Sequence, residues 1–378
     1  MIIGLTRERR ASDCRVALTP PVVRQLVESG NSVWVEKDAG LGARFSDDDY
    51  IRAGAQIAYS PAEVVRRARL LVKIAVPTME ELNLCPEGAA ILAFYHMAVA
   101  DRTVFEKLLD RKITAVGLEI VQDDHGRRPV LAAVSEIAGQ MTVQLAAHML
   151  RSSSGGRGIL LGGSPAVPPA HLVILGAGVV GSAAARSAVA AGARVSVLDV
   201  DTEKLRRLLQ HTPGIATAYA DPEMVARAVM AADVVIGAVL VAGAKTPHVV
   251  TKRMVDAMQP GAIIIDVAID QGGCVETSRP TTITDPTYLY NRVLHYAVPN
   301  LTADMGRSTS IAIAQALLPY LQCISHQGIE GAFRVCKELA RGAYTHAGAC
   351  VHSSLAGTWQ VPHRELSELL EKGSDERA

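Results

Sequence analysis

The 378-residue sequence has no charge of one sign to spare: 38 Lys and Arg residues balance 38 Asp and Glu. That balance excludes the basic footprint by which a chain attracts nucleic acid or an anionic membrane surface. No unbroken run of eighteen apolar residues occurs, although hydrophobic residues make up 49% of the chain, so no membrane span is expected. The N-terminus, MIIGLTRERR, places apolar residues first and charge second. A secretory signal has the opposite order. The six cysteines, at 14, 85, 274, 323, 336 and 350, include no Cys-x-x-Cys pair. They read as reduced thiols of a cytoplasmic protein, and no metal site is assigned. No internal repeat is visible. The length suggests two domains, each large enough for its own core.

What is present centres on one stretch. His171-Leu-Val-Ile-Leu is followed by Gly176-Ala-Gly178-Val179-Val180-Gly181, then by an Ala-rich segment and Ala193-Arg-Val-Ser-Val-Leu-Asp199. This order predicts strand, tight turn, helix, strand and a terminal acid, each with a task in holding a dinucleotide. Gly176 allows the sharp turn. Gly178 lets the backbone approach a pyrophosphate, and Gly181 lets the helix lie close to the strand. The N–H groups of Val179, Val180 and Gly181 open the helix, where its free donors and partial positive charge favour phosphate. Asp199 is placed to accept the ribose hydroxyls and to repel a 2′-phosphate, so the expected cofactor is NAD. Arg194, at the start of that strand, is not expected to reverse the preference.

Around this unit the chain alternates short apolar runs with helical patterns. Residues 2–5, 32–36, 70–74, 90–95 and 115–118 read as strands, with helices at 20–28, 47–53 and 61–67 between them. A long helix is expected from about Ser135 to Arg151, and a Ser-, Gly- and Pro-rich loop follows it. Strands are expected at 215–219, 234–238, 262–267 and 293–297. Helices are expected at 308–318, ended or kinked by Pro319, and at 328–339. The charged tail 371–378 is expected to be loose. The fold class is therefore α/β, with two doubly wound Rossmann-like domains. Residues 131–305 form the NAD-binding domain. Residues 1–130 and 306–378 form a discontinuous substrate and catalytic domain.

Six blocks then carry a resemblance: Arg15-Val-Ala-Leu-Thr-Pro20, Lys73-x-x-x-Pro77, Phe94-x-His96, Ser135-Glu-x-Ala-Gly139, Gly176–Gly181 and Asp266-x-Ala-x-Asp270-Gln-Gly-Gly273. In this order the chain resembles the alanine dehydrogenase family, related to the transhydrogenase α subunit, from residue 2 to about residue 355. The resemblance implies an active site in the cleft between the two domains, and NAD-dependent oxidative deamination of a small L-amino acid. It also implies a homo-oligomer, a hexamer or a dimer. By the same resemblance Arg15 binds the substrate carboxylate, for which a guanidinium fork is suited. His96 and Asp270 manage protons, and an imidazole titrates in the useful range. Lys73 lies at the substrate. Ser135 approaches the nicotinamide, though at a helix start it serves equally as a cap. Val239 and Leu240 run beside the cofactor ribose, and Asn300 lies beside the nicotinamide.

Three departures from the family pattern fall on cleft-facing segments. Where the family reads Lys-Val-Lys-Glu-Pro, this chain reads Lys73-Ile-Ala75-Val76-Pro77. The second lysine, which the family turns on the substrate, is Ala75. On an extended strand, residues 73 and 75 would share a face about 6–7 Å apart, so Lys73 could partly replace it. After Asn300 the family's prolines give way to Leu301-Thr-Ala-Asp304. Ala133-Val134 stands where Pro-Met is usual. These changes leave three readings open. The first is a dehydrogenase of a small amino, 2-oxo or imino acid. The second is a homologue that recycles bound NAD for elimination, cyclisation or imine reduction. The third is a non-catalytic NAD-binding protein.

Overall fold

The computed structural model describes residues 1–10, 12–97, 99–239 and 246–375, with side chains as far as 371. The chain divides into two units, Met1–Val134 with Ala303–Ala378, and Ser135–Thr302. Strands β1 (Ile2–Leu5), β2 (Ser32–Glu36), β3 (Gln56–Ala58), β4 (Leu70–Val72), β5 (Ala90–Ala93) and β6 (Thr114–Gly117) belong to the first unit. Strands β7 (His171–Leu175), β8 (Arg194–Asp199), β9 (Ile215–Tyr219), β10 (Val234–Gly237), β11 (Ile263–Asp266), β12 (Thr287–Tyr290) and β13 (Val293–Tyr296) belong to the second. Strands β14 (Ala343–His346) and β15 (Ala349–Cys350) return to the first.

The first sheet has the order β15-β14-β6-β5-β4-β1-β2-β3, with β1 to β6 parallel and β14 antiparallel to β6. Its central strands β4, β5 and β6 are buried on both faces, so they read as continuous apolar runs rather than alternating ones. Ile3, Leu5, Leu70, Val72 and Leu92 point into one core, and Leu71, Ile91 and Ala93 into another on the opposite face. The second sheet has the order β12-β13-β11-β10-β7-β8-β9, parallel except for β12. The same alternation recurs there: Leu172, Ile174, Val234 and Ile236 face one core, and Val173, Leu175 and Val235 the other. In each sheet the strand order reverses beside the first strand, between β1 and β4 and between β7 and β10. Open α/β sheets bind ligands at the carboxyl ends of the strands at such points.

Several elements differ from expectation. The long helix begins at Pro129, not near Ser135, and ends at Met149. Proline at a first helical position gives up an N–H that has no partner anyway. By length and composition this helix could cross a membrane, with a mean hydropathy of 1.3, which the search for unbroken apolar runs passed over. Its second half is nevertheless core: Met141, Val143, Ala146 and Met149 are buried in the second unit. A Cβ on Gly139 would lie 2.4 Å from the Val180 carbonyl. The C-terminal helix runs from Gly306 to Val335 straight through Pro319, and breaks at Gly328 instead. Of the tail 371–378 expected to be loose, residues 371–375 end the helix Leu366–Asp375, and 376–378 lie outside the described residues.

Candidate active site

The Gly-rich turn leaves β7 with Gly176 at φ 104°, a conformation that side chains resist. A Cβ there would stand 2.5 Å from the Ala238 carbonyl and 3.3 Å from Val239 N, so the segment after β10 runs directly beside the turn. A Cβ on Gly181 would lie 1.8 Å from the Gly176 carbonyl, which locks the helix Val179–Ala190 against the turn. Gly178 is different: a Cβ there would meet nothing within 4 Å. Gly178 is also the N-cap of that helix and provides no side-chain cap, so the first N–H groups face open space. That is the room and the charge a pyrophosphate requires. Asp199 closes the other side. Its Oδ2 accepts from Ala177 N at 2.6 Å and its Oδ1 from Asp201 N at 2.8 Å, so the carboxylate is fixed against the turn. Arg194 sits at the far end of β8, about 16 Å away along the strand, and leaves that carboxylate to act alone.

Further along the same sheet edge, β11 ends in Asp266, which is buried. Burial raises its pKa, while hydrogen bonds from the backbone of Cys274 and Val275 oppose the rise. Asp266 thereby ties down the loop 267–275, and this loop carries Asp270. Asp270 Oδ1 accepts from Asn300 N at 2.8 Å, and Asn300 itself is left-handed, at φ 54°. The turn after β11 and the turn after β13 thus meet through the two residues assigned to the nicotinamide end. Ser135 lies in the interior of the helix Pro129–Met149, half-exposed, and does not cap it. Val239 is half-buried beside the turn at Gly176, and Leu240 lies outside the described residues.

In the first unit the candidate residues gather at the carboxyl ends of β1, β4 and β5. Arg15 is 4% exposed. It donates from Nε to Asp13 Oδ1 at 2.8 Å and from Nη2 to Asp13 Oδ2 at 2.6 Å. Strand β4 stops at Val72 and residues 74 and 75 form a bend, so the extended geometry relating 73 to 75 does not apply. Lys73 is 1% exposed, and its Nζ donates to Thr6 Oγ1 and Glu81 Oε1, each at 2.9 Å. Glu8 lies 3.9 Å from the same ammonium and accepts from Ile74 N at 2.7 Å and Ala75 N at 3.1 Å. Burial raises the pKa of Glu8 against the pull of Lys73. For Glu81 burial acts in the same direction, but Lys73 and its hydrogen bonds outweigh it and hold the carboxyl below its ordinary value. The bend at Ala75, where no ammonium exists, is therefore pinned by a carboxylate from the β1 side.

His96 ends the stretch after β5 with φ 49°. Its ring stacks on Phe94, centroids 6.2 Å apart, and makes no hydrogen bond among the described residues. The structure thus groups Arg15 and Lys73 with His96 on one sheet edge, and the glycine turn, Asp199, Val239, Asp270 and Asn300 on another. Residues that the sequence reading did not single out support each group: Asp13 on Arg15, Glu8 and Glu81 on Lys73, Glu119 on the backbone of His96. One of them carried a local signal. Thr78-Met-Glu-Glu81 is a capping box, legible as Thr-x-x-Glu, although its second role on Lys73 was not.

Similarity to known proteins agrees with this arrangement. Residues 4–138 match the alanine dehydrogenase/PNT N-terminal domain and residues 142–353 the C-terminal domain. The chain belongs to the alanine dehydrogenase/PNT family. It is 40% identical to an alanine dehydrogenase of Mycobacterium tuberculosis and 39% identical to one of Methanococcus maripaludis, each match covering 98% of this chain and 100% of the relative. A solved L-alanine dehydrogenase structure superposes with a TM-score of 0.90 at 38% identity, over 95% of this chain and 99% of the other. As a family member the chain is an NAD-dependent oxidoreductase acting on the CH–NH2 group of an amino acid, a small-molecule substrate. NAD is its cofactor, and the open space above Gly178 with the fixed carboxylate of Asp199 fits that cofactor.

Proposed function

We propose that this enzyme oxidatively deaminates a small L-amino acid, or runs the reverse reductive amination, with a substrate preference or chemistry shifted away from alanine by the loss of an ammonium at Ala75. The observation that carries the reading is a contrast. The second unit carries the cofactor turn, Asp199 and Asp270 and the first carries Arg15 and His96, while Lys73 is committed to Glu81 and Thr6. Taking Lys73 away would leave a carboxylate buried and unpaired, at about 3–5 kcal/mol. A new charge-assisted hydrogen bond to substrate returns only about 1.5–3 kcal/mol. Lys73 therefore stays where it is and does not stand in for the absent lysine.

In this reading Arg15 anchors the substrate carboxylate, and Asp13 holds the guanidinium plane in place. His96 exchanges the proton of the substrate nitrogen or of the attacking water. Asp270, oriented by Asn300 N, steadies the charge that develops on the nitrogen-bearing carbon. Bound NAD supplies the hydride acceptor. The enzyme acts as a cytoplasmic homo-oligomer, a hexamer or a dimer. A second reading is favoured by Ala75 alone: the enzyme recycles NAD and achieves a net elimination, cyclisation or imine reduction.

The test is a panel of L-amino acids incubated with enzyme and NAD, followed by NADH absorbance and by product analysis. NADH formed in step with 2-oxo acid supports the dehydrogenase. Product without net NADH supports the recycling enzyme, and NAD binding without turnover on any substrate sinks both. Ala75→Lys isolates the decisive position. Removing one charged donor from a closed site costs about 10²–10³ in kcat, so restoring it is expected to raise alanine oxidation by a sizeable part of that factor. An unchanged rate would refute the role given to position 75.

A further inference from the structure

The backbone around His96 has an unusual support. β5 and β6 run parallel with Ala93 opposite Gly117, and Leu118 N still donates to the Ala93 carbonyl at 2.9 Å. Beyond that point the ladder ends. The next two donors on the β5 side, Tyr95 N and His96 N, reach no strand carbonyl. Both turn to one carboxylate: Glu119 Oε2 accepts from Tyr95 N at 3.2 Å, and Oε1 from His96 N at 2.7 Å. Glu119 is 6% exposed, and its Oε1 also accepts from Tyr344 Oη at 2.8 Å. Tyr344 comes from β14, and its ring stands edge-on to Tyr95 at 85°, centroids 6.1 Å apart. The His96 ring makes no hydrogen bond among the described residues, so its direction is set by a left-handed backbone, and that backbone is held by Glu119. A non-glycine residue stays at positive φ only where its surroundings over-determine it.

We propose that Glu119 is a positioning residue for His96. Its carboxylate fixes the left-handed turn through two peptide N–H groups. Tyr344 on the C-terminal strand β14 orients that carboxylate. The proposal rests on the reading of His96 as the group that exchanges protons, and adds what aims it.

The test uses the full-length enzyme with NAD and the best substrate of the amino-acid panel. Glu119→Gln keeps the volume but satisfies only one of the two N–H groups with an oxygen and removes the charge. We expect kcat to fall by about 10²-fold, the cost of a misplaced catalytic group, with NAD affinity unchanged. Because the loss is one of aim, it should fall on kcat with KM for the amino acid little changed, and Glu119→Asp, which keeps the carboxylate, should recover part of the rate. Tyr344→Phe should lower kcat in the same direction by less, and guards against a Glu119→Gln chain that fails to fold. His96→Ala combined with Glu119→Gln should be no slower than His96→Ala alone, because residues acting as a unit are not additive. Losses that multiply in the double variant, or a kcat left unchanged in Glu119→Gln and Tyr344→Phe, overturn the proposal. Full activity in His96→Ala overturns the underlying reading instead, whereas an inactive His96→Ala beside a fully active Glu119→Gln overturns only the role given to Glu119.

Discussion

The glycines of the turn after β7 look alike in the sequence and do different things in the structure. Gly181 answers to the protein, since a Cβ there would sit 1.8 Å from the Gly176 carbonyl. Gly178 answers to nothing in the protein: its φ is −72°, which any residue adopts, and a Cβ would meet nothing within 4 Å. Under the proposed reading its smallness serves the cofactor. Gly178→Ala should therefore leave the thermal midpoint nearly unmoved, within the about 0.5 kcal/mol typical of surface changes. Its NAD affinity should fall, because a methyl forced into a filled contact costs about 1–3 kcal/mol, or about 5- to 150-fold in Kd. Gly181→Ala should show the reverse order of effects, with unfolding brought to lower temperature before binding is considered. Calorimetry of unfolding and of NAD titration on both variants reads the two outcomes separately. A Gly178→Ala enzyme that binds NAD like the parent would show that the open space is not the pyrophosphate site.

At the level of elements, the helix Gly306–Val335 shows where a breaker residue acts and where it does not. Pro319 removes one internal hydrogen bond, yet Leu317, Tyr320, Leu321 and Ile324 around it are buried in the first unit's core. Their packing outweighs the loss of about 3 kcal/mol that a proline brings to a helix interior. The true break is Gly328, at φ 67° and ψ 172°, a region that essentially only glycine occupies. Gly328→Ala is expected to lower stability by about 1–3 kcal/mol, measured by urea unfolding, although its Cβ would touch nothing. No loss of stability would mean that the kink is not strained. This contrast also explains what was legible in the sequence. The central parallel strands of both sheets were, because doubly buried strands are apolar throughout, whereas the three-residue edge strand β3, with Gln56 exposed, was not. The cofactor turn was, because its chemistry is local to a few residues. The strand β14 was not: Ala-Tyr-Thr-His has no apolar run, and it is a strand only because β6 lies beside it. Glu119 escaped for the same reason. Its partners lie 23 to 225 positions away in the chain, and no spacing rule connects them. Lys73 was found by its neighbours in sequence, but its commitment to Thr6 and Glu8 comes from positions 67 and 65 residues earlier, at the end of β1.

The whole molecule is built unequally. The second unit is a single stretch of chain with its own sheet and a core on each face of it. The first is assembled from both ends of the chain. Ile313, Ala314, Leu317, Leu321 and Ile324 share a core with Leu5, Val33 and Leu70, and Asn31 bonds the Ser325 hydroxyl across 294 positions. The two units should therefore differ in autonomy. A fragment of residues 129–302, which keeps Pro129 at the head of the long helix, is expected to fold by itself and to unfold cooperatively. It should also bind NAD, since Gly176, Gly178, Gly181, Asp199 and Val239 all lie within it. Ligand that binds only the folded state stabilises it by about 2.7 kcal/mol at a hundredfold excess over Kd, so a thermal midpoint that rises with NAD concentration is the signature sought. Residues 1–134 alone should behave otherwise. Without the helix Gly306–Val335, Leu5 and its neighbours lose the apolar face that covers them. Without β14, Glu119 loses the Tyr344 hydroxyl and β6 becomes an open edge, which invites pairing with other chains. Circular dichroism and sedimentation of that fragment should show an aggregating, non-cooperative chain, and supplying residues 303–375 in trans should restore cooperative unfolding. A fragment of 1–134 that folds and stays soluble by itself would show that the returning C-terminal segment only decorates the first unit and does not complete its core.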